Sequence, residues 1–343
     1  MTKANNSTLN NPNSKTLNNK SSHNGKTHHW TIVLIKRLIL FGSWGYVLYR
    51  FIGPESINFS TFSFQKDTPS FLLYTTALLC LMGINWSLES LKWKISLSGF
   101  HQISFFKSVL GIILGLSVAI FTPNRSGEYI GRIWVLPKHT HIKAIAATIF
   151  ASMNQLSVTF FCGIIALMVW QQNHTIPFIF DNEKSIKWIV IGGFFIIIVS
   201  LMALLLFKKK QLPEIKKHIL TFIDVFFSYS FKKIFSIWGL SFIRYQIFVF
   251  QYWILLHFFN APIPIFELYS GLGIMYLTMA LLPILTFAEP AVRTALSLLF
   301  LGVFTTNEAG IISASIALWI INLVIPSLIG SILLNTQKST NNA

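Results

Sequence analysis

The sequence predicts an all-α polytopic membrane protein, and three observations carry that prediction. Hydrophobic residues make up 53% and charged residues only 11% of the 343 positions, too apolar a balance for a chain of water-facing domains. Several stretches reach the roughly 20 apolar residues that a spanning helix needs. Lys and Arg gather at the ends of those stretches, as membrane topology requires. The full expectation is about six spanning helices plus two oppositely oriented re-entrant hairpins, a pattern that permits an inverted repeat.

Residues 1–29, rich in Asn, Ser, Thr and Lys, lack the apolar content that offsets the entropy of ordering and are expected to form a disordered cytoplasmic tail. A single transmembrane domain is expected over 30–335, with a short cytoplasmic tail at 336–343. The first spanning helix is placed at 30–53, because this segment begins too late and runs too long for a cleaved signal peptide. The link 54–69 mixes Lys66 with Glu55 and Asp67 and suits the outside. Span 70–88 returns, and the link 89–107, with Lys92, Lys94 and Lys107, suits the inside.

An outward crossing at 108–122 would strand the basic loop of Lys138, His139, His141 and Lys143 near the wrong side. A re-entrant hairpin over about 106–137 removes the conflict and puts FTPNRSGEYIGR at membrane depth, where irregular backbone needs surrounding protein or a water-filled cavity. An ordinary crossing over 106–143 is the alternative. Spans follow at 144–170, 186–207, 234–258 and 310–334. The basic run from Lys208 to Lys217 marks the cytoplasm, and the link Asn260 to Pro264 carries no Lys or Arg. The region 265–303 must then begin and end outside, as a second hairpin. Both termini are expected in the cytoplasm and the chain in the cell membrane.

The two broken regions share a pattern. The first has the hairpin-breaking residues Pro123 and Gly127, then Glu128 and Arg132; the second has Pro283 and Pro290, with Glu289 and Arg293. Each Glu and Arg stand four apart, so each pair shares a helix face. Inverted hairpins with polar tips supply ion or headgroup sites in transporters, and intramembrane charges generally face the bundle interior. Arg125 and Arg132 could hold a phosphate through their guanidinium forks, with Glu128 and Glu289 orienting and partly neutralising the arginines. Each pair could equally serve to lock its own hairpin tip. Arg244, in the middle of 234–258, either lines the same cavity or pairs structurally. Asn154, Gln155 and Asn322 read as interhelical hydrogen-bonding amides.

Other chemistries find little support. The net charge of +16 follows membrane topology and gives no nucleic-acid face. Cys80 and Cys162 lie in apolar helices, so neither a disulfide framework nor a Cys-ligated metal site is expected. With no phosphate-binding loop, dinucleotide fingerprint or metal-ligand spacing, the expectation is no cofactor and no metal.

At FTPNRSGEYIGRIWVL, the pattern Pro-x-Arg-x-Gly-Glu-x-x-x-Arg resembles the lysylphosphatidylglycerol synthase transmembrane-region family, whose members are often called flippase-like. The resemblance takes in Asn85-Trp86 with Glu89, Lys92 and Trp93, the Arg244-Tyr245 pair, and Leu282-Pro283 through Arg293. It implies lipid handling without the soluble aminoacyltransferase domain. Many members carry a Gly-rich run before Arg-Glu in the second motif, where this chain reads FAEPAVRTA. The expected function is binding and translocation of a lipid headgroup, with membrane phospholipid or lipid-linked substrate as partner and a homo-oligomer permitted. Arg125, Glu128, Arg132, Arg244, Glu289 and Arg293 are the expected binding residues. The alternatives are a membrane enzyme of lipid-linked sugar or phospholipid metabolism, or a non-catalytic partner of an envelope biosynthesis complex.

Overall fold

The computed structural model describes residues 63–64, 67–120, 122, 125–173, 213–282, 284 and 288–340. The expected spans at 30–53 and 186–207, the amino-terminal tail, and Pro123 and Pro283 lie outside the described residues. Within them the chain is helical, and no strand occurs.

The helices are α1 (Thr68–Leu97), α2 (Phe105–Ala119), α3 (Gly127–Ile133), α4 (His141–Asn173), α5 (Pro213–Phe227), α6 (Phe231–Phe258), α7 (Ile265–Leu281), α8 (Glu289–Leu301), α9 (Glu308–Trp319) and α10 (Ile325–Thr340). Among the described residues three segments are long and apolar enough to cross a membrane: Thr68–Leu97, Lys138–Trp170 and Glu308–Leu333. Only 11% of the most apolar window of α1 is buried, so its apolar side chains point outward, as lipid-facing residues do. Helix α6 is also long, but Arg244, Gln246 and Gln251 interrupt its apolar run. This is an all-helical architecture consistent with a membrane protein.

Local chemistry sets several boundaries. Pro69 stands in the first turn of α1, where a missing N–H costs nothing. The Ser104 hydroxyl caps α2 by accepting from the Lys107 N–H at 3.3 Å, and the Asn307 side chain caps α9 by accepting from the Gly310 N–H at 2.9 Å. Between α9 and α10 the helix widens into a π-turn at Ile320–Val324. Pro326 explains this, because its ring removes a donor and crowds the carbonyl four residues earlier. The helix then runs on to Thr340, into the stretch expected as a tail from 336.

Helices α2 and α3 form an antiparallel pair built on glycine. A Cβ on Gly131 would lie 2.6 Å from the Gly115 Cα and the Leu114 carbonyl, and one on Gly127 would lie 2.7 Å from the Val118 carbonyl. The GxxxG spacing of Gly111 with Gly115 thus faces that of Gly127 with Gly131, and small residues let the backbones touch. Helices α7 and α8 form a second antiparallel pair: Gly271 packs on Leu301, and the Ser297 hydroxyl donates to the Met275 sulfur at 3.2 Å. Helix α10 closes on α2, where the Ser117 hydroxyl donates to the Ser327 carbonyl at 3.0 Å and the Ser327 hydroxyl to the Leu116 carbonyl at 3.2 Å.

The apolar interior has two centres. One gathers α4, α6, α7, α8 and α9 around Tyr252, Leu272 and Met275. The other joins α1, α2 and the start of α4 around Trp93, Ile112 and Ala147. The polar site lies where these centres meet α1.

Candidate functional site

The site is built outward from Glu89 on α1. The Lys92 ammonium approaches its carboxylate at 2.6 Å, the Arg132 guanidinium of α3 at 2.7 Å, and the Arg244 guanidinium of α6 also pairs with it. All four side chains are at most 9% exposed, and such an arrangement survives burial only because each charge faces an opposite one.

This corrects the reading of 89–107 as a cytoplasmic link. Helix α1 runs to Leu97 and carries Glu89 and Lys92 into the interior. The signal was present in the sequence: Asn85, Glu89, Lys92 and Ser96 recur at helical spacing, a polar stripe on an otherwise apolar helix. Their lysines resembled a topology marker, which hid the stripe.

The hairpin residues assemble around this centre. Glu128 pairs with Arg132, one helical turn on. Glu289 accepts from Arg293 at 2.7 Å and lies 3.7 Å from the Arg125 guanidinium. This last contact joins the first broken region directly to the second. Arg125 adopts a left-handed backbone, φ 56°, which a bulky side chain takes only under constraint. Gly127 begins the next helix, with its N–H donating to the Thr122 hydroxyl at 2.7 Å. Pro290 sits in the first turn of α8, where it initiates the helix rather than breaking one.

A cavity of about 390 Å³ opens at this junction, lined by Trp86, Glu89, Lys92, Arg125, Glu128, Arg244, Tyr276 and Arg293 among others. Arg132 is not on its wall; it is held behind by Glu89 and Glu128. The lining charges are four cations and two carboxylates, an excess of two positive charges. Among the described residues the Trp86 indole N–H and the Arg293 Nε are buried without a hydrogen-bond partner. Arg244 also lies 5.8 Å from the Trp86 ring centroid and 5.7 Å from that of Phe248, a cation–π geometry that holds the guanidinium in place.

Amides complete the frame. Arg244 Nε donates to the Asn85 oxygen at 2.8 Å, Asn85 donates to Asn322 at 3.0 Å, and Asn322 donates to Gln251 at 3.0 Å. The Asn322 link lies within the π-turn, where its side chain is buried. Gln155 accepts from Lys92 at 3.4 Å and donates to the Ser241 carbonyl at 3.2 Å. Among the described residues the Asn154 side chain bonds within its own helix, to the Phe150 carbonyl at 2.9 Å. Among the described residues no group of three His, Cys, Asp or Glu could hold a metal. Comparison of the chain with protein-family models, with curated proteins and with solved structures finds no match, so the reading of the site rests on its own geometry.

Proposed function

We propose that the cavity binds the phosphate-bearing headgroup of a membrane lipid and that the protein moves that lipid between leaflets, as flippase-like proteins do. The observation that carries the reading is the contact of Arg125 with Glu289, which joins the two broken regions beside one cavity whose wall takes Glu128 from the first Glu–Arg pair and Arg293 from the second and carries a two-charge cationic excess. Guanidinium forks suit oxyanions, and the buried carboxylates hold those forks in place.

The accompanying topology is six spans plus two re-entrant hairpins entering from opposite faces, with both termini in the cytoplasm. In it, the tips at Arg125 and Glu289 meet near the bilayer midplane and the two repeats rock about the fixed site. Acid–base chemistry is the weaker reading, because Glu89, Glu128 and Glu289 are each ion-paired with arginine or lysine.

The test is leaflet exchange of headgroup-labelled phospholipids in vesicles holding the purified protein. The Arg125 side chain is 38% exposed, so Arg125→Gln should slow exchange while thermal unfolding changes little. Exchange at the wild-type rate in Arg125→Gln and Arg244→Gln would show that headgroups do not pass this cavity.

A further inference from the structure

A second cavity, of about 360 Å³, meets the polar one at Tyr245, which lines both. Its walls come from α4, α6 and α7. Phe161, Ile165 and Val169 follow one another at four-residue spacing on α4 and form a single stripe about 12 Å long by helix rise. Phe242 and Phe266 face it from α6 and α7. Phe161, Ile165, Val169 and Phe266 are all exposed on the outer surface, so the groove opens where lipid would lie. It runs beside the crossing of α4 and α7, where Gly163 packs on Leu277 and Gly273 on Ala166.

Two hydroxyls of this otherwise apolar groove are already engaged. The Tyr269 hydroxyl donates to the Gln246 oxygen at 2.5 Å, and the Ser270 hydroxyl donates to the Glu267 carbonyl at 2.8 Å. An occupant therefore meets hydrocarbon. At the junction Tyr245 follows Arg244 directly in the chain, and its ring packs edge-on against Tyr276 of the polar cavity at 5.9 Å. A polar compartment rich in cations thus abuts an apolar one open to lipid, the division found in an amphiphile.

We infer that the groove takes an acyl chain of the same lipid whose headgroup enters the polar cavity, with Tyr245 at the junction between them. This rests on the headgroup reading and narrows it: the ligand is an anionic phospholipid held at both ends, and a free phosphate ester would fill only half of the site.

The experiment is photo-crosslinking in vesicles with phosphatidylglycerol carrying a diazirine on one acyl chain, beside a diacylglycerol with the same chain and no phosphate. Peptide mapping should place several-fold more phosphatidylglycerol than diacylglycerol label on 161–169 and 266–270. Outward residues such as Leu72, Leu73 and Ile332 should take both probes equally. Arg244→Gln should bring groove labelling down to the diacylglycerol level. A second arm does not depend on that variant folding. In a Cys80→Ser background, hexadecyl methanethiosulfonate attached to Cys162, a groove residue, should block phosphatidylglycerol labelling there, and dithiothreitol should restore it.

Equal groove labelling by the two probes would make the occupant ordinary surrounding lipid and overturn the inference. Phosphate-selective labelling concentrated on another surface, unaffected by the Cys162 adduct, would overturn the groove while leaving headgroup binding standing. Groove labelling that is phosphate-selective but indifferent to Arg244→Gln and to Arg125→Gln would overturn the headgroup reading instead, and with it the single ligand held at both ends.

Discussion

Replacing Glu89 with Gln keeps the shape of the side chain and removes its charge at the centre of the polar network. Arg132 then retains Glu128, and Arg244 retains the Asn85 oxygen at 2.8 Å. Lys92 keeps only the Gln155 oxygen at 3.4 Å. Two buried cations, Lys92 and Arg244, are left without a paired carboxylate, and removing one partner of a buried pair costs about 3 to 5 kcal/mol. The assay is reversible unfolding of the detergent-solubilised protein, followed by tryptophan fluorescence. Lys92→Met in the Glu89→Gln background removes one of these two cations, and the two changes should be coupled by about 1 to 3 kcal/mol, the range for residues in direct contact. The reasoning fails if Glu89→Gln costs less than about 1 kcal/mol, as an exposed ion pair would, or if Lys92→Met adds a full cost of its own.

Gly131→Ala should cost about 1 to 3 kcal/mol, because the new Cβ meets backbone atoms of Gly115 and Leu114 at 2.6 Å and cannot be accommodated by a side-chain rotation. Gly83→Ala, with nothing within 4 Å of its Cβ, serves as the control, and the same unfolding assay should show it neutral or stabilised by up to about 1 kcal/mol. Asn322→Leu breaks the amide chain between Asn85 and Gln251. It should destabilise by about 1 to 2 kcal/mol, the upper range for interhelical polar contacts in membranes, and Gln251→Leu added to it should cost much less than Gln251→Leu alone.

The helices legible in the sequence were those written in local terms. Span 70–88 lies within α1, 144–170 within α4, 234–258 within α6, and 310–334 within the run of α9, the π-turn and α10. The two broken regions are helical pairs interrupted near the expected positions. Glu89 and Lys92 were read as part of a link, since lysines flanking an apolar stretch look alike whether they end a helix or line its buried face. The facing GxxxG pairs of α2 and α3 were also legible as spacing, yet nothing in either one says that the other is its partner. Tyr245 entered only through the Arg244-Tyr245 pair of the family resemblance, and its place between two cavities carried no signal, because an aromatic in an apolar helix is ordinary whichever cavity it borders.

What the sequence by itself determined was the class of solvent and the contacts within a helical turn. An apolar chain with few charges builds helices that suit lipid, and a Glu four residues before an Arg must share its face, as Glu128 with Arg132 and Glu289 with Arg293 do. Tertiary structure alone decided that Glu89 gathers Arg132 from 43 residues away and Arg244 from 155, and that Arg125 reaches Glu289. The helix repeat fixes the first kind of contact wherever the residues occur. The second kind depends on which helices pack together, and that is set by glycine seams, a π-turn and buried amides whose energies count only once the chain has folded.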